Sequence, residues 1–186
     1  MRGCLSQGVV ILGLMALGAL AFLGLRTPSS STVLVPTLVV TAAAEMPCAW
    51  TWHTEPLPDV DAQIAAVIAT NDALAASGVV VNAAAFGENC NSAAGTSFAA
   101  MQTDFTINFT GDLSDEALGN YLTDVLPIIA AIPLDTLPGP NPGYININVT
   151  HGTTQRSMRV RYVDAMTVAN SGASGAALIT ALGGFQ

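Results

Sequence analysis

The residues of this chain with the most chemistry to offer are two arginines, Arg159 and Arg161, set two apart in the alternating segment Ser157–Val163. On a β-strand that spacing puts both guanidinium groups on one face, because successive side chains point to opposite sides. Their planar forks can receive a carboxylate or an acidic partner through bidentate hydrogen bonds. Other segments bring polar company. Gln102, Asp104, Thr106 and Asn108 share one parity, as do Asn146 and Asn148, with Asn82 on an earlier run. The expected partner-binding face therefore comprises Arg159, Arg161, Asn146, Asn148 and Asp104. The competing reading is that both arginines pair with local acids on a solvated sheet face. Trp50 and Trp52 are also two apart and share a side, either packed together or anchoring a partner.

Bond-making chemistry finds no foothold. No G-x-S-x-G nucleophile turn occurs, and His53 and His151 are isolated imidazoles with no neighbouring nucleophile in sequence. No spacing of His, Cys and carboxylates suggests zinc. Asp59 and Asp61 do not continue into a calcium loop, and Asp59 reads better as a helix N-cap. Gly172, Gly175, Gly183 and Gly184 lack the phosphate-cradling motif. Asn108 and Asn148 head N-x-T sequons, which would matter only in a eukaryotic secretory pathway and read as chance elsewhere. No cofactor and no catalytic set is expected.

Charge narrows the partners. The chain has no lysine, and after Arg26 only Arg156, Arg159 and Arg161 stand against all 13 acidic residues. Nucleic acids and anionic headgroups are recognised through clustered Lys and Arg, so a nucleic-acid partner is not expected.

Two thiols, Cys48 and Cys90, remain after the first few residues, and in an oxidising compartment such a pair closes a disulfide. The export signal for such a compartment is present. The uncharged run Val9–Leu25, between Arg2 and Arg26, sits between the about 7–15 apolar residues of a signal-peptide core and the about 17–25 of a spanning helix. It is either an uncleaved anchor that engages the membrane through residues 9–25, with the domain outside, or a signal peptide whose removal releases a secreted protein. Residues 26–47, rich in serine, threonine, proline and alanine, read as a flexible stalk, and 48–186 as a single extracytoplasmic domain.

Periodicity supplies the elements that must hold these residues. A short strand is expected over Ala49–Thr54, stopped by Pro56 and Pro58. Val60, Ile64, Val67, Ile68 and Leu74 then recur at helical spacing over Val60–Ala76. A strand follows over Val79–Phe86, then a polar loop over Gly87–Thr96. Met101, Thr103, Phe105, Ile107 and Phe109 form the inward side of the clearest alternation. Ser114 is set to cap a second helix with the stripe Leu118, Tyr121, Leu122, Val125, Ile129 and Ile132, kinked or split at Pro127. Strands over Tyr144–Thr150 and Ser157–Val163 form a hairpin, and a last helix spans about Ala173–Leu182.

This order predicts an α+β fold, an antiparallel four- to five-stranded sheet with helices packed on one face, preceded by an N-terminal hydrophobic helix. Two versions fit: a ferredoxin-like plait, or a duplicated helix-strand-strand unit. The disulfide separates them. In a plait the first two strands run parallel, placing Cys48 and Cys90 at opposite ends, beyond the about 7 Å that a disulfide spans. A bond therefore requires residues 46–56 to fold back as a cover or edge segment and the duplicated unit alone to form the core.

The stretches AFGENC (Ala85–Cys90), MQTDF (Met101–Phe105) and PGPNPGYI (Pro138–Ile145) resemble segments of a group of uncharacterised exported bacterial proteins. The resemblance implies an exported single-domain protein and carries no activity. The expected role is a non-enzymatic module that binds a protein partner in the cell envelope or serves it structurally. The alternative is a regulator of an extracytoplasmic protease, inhibitor or pro-domain-like, presenting its C-terminal tail Leu182–Gln186.

Overall fold

Two β-hairpins lie side by side and make four of the five strands of one sheet. The computed structural model describes residues 48–111 and 113–185, so the apolar run Val9–Leu25 and the stalk 26–47 fall outside the described residues. Among the described residues no helix is long and apolar enough to cross a membrane. The elements run β1 (Ala49–Pro56), α1 (Pro58–Ile68), α2 (Asp72–Ser77), β2 (Val80–Ser92), β3 (Gly95–Thr110), α3 (Asp115–Ala130), a short 3-10 turn (Leu134–Thr136), β4 (Asn141–His151), β5 (Thr154–Arg161), α4 (Tyr162–Asn170) and α5 (Gly175–Ala181). The sheet order follows the sequence, β1-β2-β3-β4-β5.

The α+β class with one five-stranded sheet stands, but the sheet is mixed and not antiparallel. β3 and β4 run parallel, while the other three pairs are antiparallel. The reason is the connection: α3 carries the chain back along the sheet before β4 begins, and such a crossover returns the next strand in the same direction. The duplicated unit describes this arrangement and the plait does not.

One side of the sheet is the core. Val81, Ala83 and Ala85 of β2, Phe105, Ile107 and Phe109 of β3, Ile145, Ile147 and Val149 of β4 and Met158 of β5 are buried. Every second residue points this way, as the pleat demands. Against them pack Ile64 and Ile68 of α1, Leu74 of α2, Leu118, Leu122, Val125, Leu126 and Ile129 of α3, Tyr162 and Ala165 of α4, and Leu178 and Ile179 of α5. Burying each such aliphatic side chain is worth about 1.5–3 kcal/mol.

Local chemistry explains where the elements depart from expectation. The first helix divides in two because Asn71 breaks in and caps α2, its side-chain oxygen accepting from the backbone N–H groups of Ala73 and Leu74. Asp59 is not an N-cap: the helix begins at Pro58, two residues before the expected Val60, and the missing N–H of Pro58 costs nothing in the first turn. The expected polar loop Gly87–Thr96 is strand on both sides of a tight Ala93–Ala94 turn. Met101 falls in a register shift opposite Phe86 and Gly87 and is half-exposed, not inward. Ser114 caps α3 as expected, its hydroxyl accepting from the Ala117 N–H. The helix continues through Pro127 without dividing. Tyr162 is inward but opens α4, a helix that the sequence had concealed in an extended strand.

Candidate functional site

The opposite side of the sheet carries no helix among the described residues. Its centre is a row of register partners, Asn82, Thr106, Asn146 and Arg159, each directly beside the next on β2, β3, β4 and β5. The next row places Asn108, Asn148 and Ser157 together. Five expected residues, Asp104, Asn146, Asn148, Arg159 and Arg161, thus share one face, as their parities required.

Hydrogen bonds tie the rows into a fixed surface. Asn148 Nδ2 donates to Asn108 Oδ1 at 3.1 Å, and Asn108 Nδ2 to Asn82 Oδ1 at 3.5 Å. Asn82 Nδ2 in turn donates to Asp61 at 3.4 Å. Both sequon asparagines therefore sit in mid-strand, inside this amide chain.

Asp104 is the hub. Its Oδ1 accepts from Gln102 Nε2 at 2.7 Å and from the Tyr144 backbone N–H at 2.9 Å, and Arg159 Nη2 approaches Oδ2 at 3.5 Å. The β3–β4 register shifts between Thr103 and Phe105, and the carboxylate takes the Tyr144 N–H there in place of a backbone carbonyl. Gly143 makes room for it: a Cβ at that position would collide with the Asp104 carboxylate and the Gln102 amide. Arg159 also stacks over the Tyr144 ring, 3.9 Å from guanidinium carbon to centroid.

Both arginines meet local acids and stay accessible. The Arg159 side chain is 57% exposed beside Asp104, and that of Arg161 is 66% exposed, 4.0 Å from Asp164. Such solvated pairs contribute about 0–1 kcal/mol. A concavity of about 570 Å³ opens here, lined by Thr106, Asn146, Asn148, Ser157 and Arg159 of this face together with Met158 and Leu182 of the core side and Gly183 and Gly184 after α5.

Towards β1 the same face turns aromatic. Trp52 stacks on Phe86, with centroids 5.3 Å apart and planes within 9°. Trp50 is 56% exposed and Trp52 64%, so the tryptophans share a side without being buried. β1 is pinned as an edge strand by the Cys48–Cys90 disulfide, whose Cα atoms are 5.0 Å apart. The fold-back that the bond required is thus present, with Trp50 opposite Cys90 and Trp52 opposite Glu88.

The third arginine lies apart from this face. Arg156 bonds Asp115 at 2.8 Å and the Leu113 carbonyl at 2.6 Å, and lies 4.8 Å over the Phe185 ring. Its parity, shared with Met158, was the signal that it belongs to the inner edge. Phe185 is packed against the core. The C-terminal tail is held down at that residue.

Among the described residues no group of three or more His, Cys, Asp or Glu comes together to hold a metal ion. Tyr162, buried against Phe105 with ring centroids 6.0 Å apart, has its hydroxyl pKa raised above the ordinary 10.0 by desolvation. It lies on the core side. Sequence reasoning missed Tyr144 and Phe86 as members of the open face, although Tyr144 shares the parity of Asn146 and Asn148. No protein-family model, curated protein or solved structure matches the chain.

Proposed function

We propose that this protein is a non-enzymatic extracytoplasmic binding module, exported or held at the cell membrane through residues 9–25, that engages a cell-envelope partner with the open face of its sheet. One observation carries the reading. Among the described residues the helices pack on a single side of the sheet, and the other side presents an ordered polar array of Asp104, Asn146, Asn148, Arg159 and Arg161, in which both arginines are exposed and Asn146, Asn148 and Arg159 line a concavity. Uncovered sheet faces of this kind leave fixed donors and acceptors unspent, and a few convergent polar groups are what orient a ligand. The Cys48–Cys90 bond fits an oxidising compartment.

The test is site-specific photo-crosslinking of the full chain in its own cells. Photoreactive residues at Ser157 or Val80, on the open face, are expected to yield discrete adducts. Residues at Asn120 or Asp124, on the exposed side of α3, are expected to yield none. Equal labelling from both sides would discard the reading.

A further inference from the structure

One stripe crosses all five strands of the open face. It starts at Trp52 on β1, which stacks on Phe86 of β2. Phe86 is the register partner of Gln102 on β3, whose amide donates to Asp104. Asp104 meets Arg159 of β5, and Arg159 covers the Tyr144 ring of β4. At the usual inter-strand spacing of about 4.8 Å, the stripe is about 19 Å long.

Its chemistry is specific. Two accessible indole rings lie at one end and a phenol under a guanidinium lies near the other. Between them are amides that give and accept hydrogen bonds and a carboxylate that accepts them. Rings of this kind offer flat apolar surface with a polar edge. Charge along the stripe itself is balanced, Asp104 against Arg159, with Asp61 and Asp164 at the margins of the face, whereas the chain as a whole carries −8. A polyanion gains nothing on such a surface, and a polycation is drawn to the acids elsewhere. An uncharged chain of pyranose rings matches each part, with its C–H faces on the tryptophans and its hydroxyls on the amides.

We infer that this stripe is a binding track for a neutral polysaccharide laid across the strands, with Trp52 as its stacking platform and Arg159 as its polar end. The inference rests on the binding-module reading above and names its ligand class. Hydroxyl-only and N-acetylated glycans present the same ring faces, and two probes distinguish them.

The chain reports on the site by itself, because Trp50 and Trp52 are its only tryptophans. The full-length protein is titrated with cellohexaose and with chitohexaose. A saturable change in indole emission is expected with at least one of them, and none with glucose or N-acetylglucosamine at equal concentration. By calorimetry Trp52→Ala weakens binding about tenfold, Trp52→Phe restores most of it, and Arg159→Ala has a smaller effect. Trp52 is exposed, so none of these outcomes depends on a core change. No saturable change with either hexasaccharide up to about 10 mM, or a Trp52→Ala protein that binds as the native does, overturns the inference. If neither sugar binds while Ser157 crosslinks to a polypeptide, the glycan track falls and the binding module stands. If open-face positions crosslink no more than α3 positions do, the wider reading falls by itself.

Discussion

Gly119 of α3 lies directly against the backbone of Gly175 at the start of α5. A Cβ on Gly119 would enter the space of the Gly175 carbonyl, so the two helices approach closely only because neither position carries a side chain. Gly175 moreover has a φ of 54°, a region that L-residues with side chains avoid. Gly119→Ala is expected to cost about 1–3 kcal/mol in urea unfolding through overpacking against backbone that cannot step aside. A variant as stable as the native protein would contradict this contact.

Glu116 reinforces the same junction, its Oε2 accepting from the Ala176 N–H at 2.9 Å and serving α5 as a cap supplied by α3. Glu116→Ala should lose about 1 kcal/mol, with Glu116→Gln losing less because the amide oxygen still accepts. Thermal melts of the two variants check the order.

Removal of the disulfide acts on β1. The bond spans a sequence separation of 42, and every residue of β1 is exposed. Cys48→Ser combined with Cys90→Ser is expected to lower stability by about 2–4 kcal/mol. Amide exchange should quicken first in β1 while β3 and β4 keep their protection. Uniform acceleration across the sheet would show that β1 is not a separable edge.

Tyr162 makes the protein sensitive to alkali. Desolvation by burial raises its folded-state pKa, so the folded protein holds a proton that the unfolded chain releases near 10.0. Stability is therefore fully present below pH 10, and falls as pH rises from there towards the folded-state value, at up to about 1.4 kcal/mol per pH unit. Tyr162→Phe should be less steeply destabilised over that window. The comparison is made by denaturant titration on either side of pH 10, and identical slopes would count against the assignment.

Arg159→Ala with Arg161→Ala separates binding from folding. Both arginines are solvent-exposed and their ion pairs are long, so the double variant is expected to stay within about 1 kcal/mol of native stability. It should nevertheless lose the crosslinks formed from Ser157. A large drop in melting temperature would mean that the pair supports the sheet instead.

The open face was legible because period-two alternation survives in β3, β4 and β5, and it placed Asp104, Asn146, Asn148, Arg159 and Arg161 together with no knowledge of topology. Strand direction was not legible in the same way. Alternation says which side a residue faces, and nothing about whether β3 and β4 run together or opposed; that depended on α3 crossing the sheet. The bulge at Met101 was hidden for a related reason, since an apolar residue at the right parity gives no sign that its partner strand has one residue fewer. The tension between disulfide and plait was the most productive mark in the sequence, because distance alone decided which of two architectures could close the bond. Tyr162 shows the limit: an aromatic at strand parity served equally well as the first residue of a helix.

The cross-link at Cys48 also sets how the domain would carry a load. It stands one residue ahead of β1, so a pull arriving along the preceding polypeptide passes through the sulfur bridge into β2. The weak outermost ribbon is bypassed and cannot be peeled away like the end of a tape. Resistance then rests on the paired hairpin behind it.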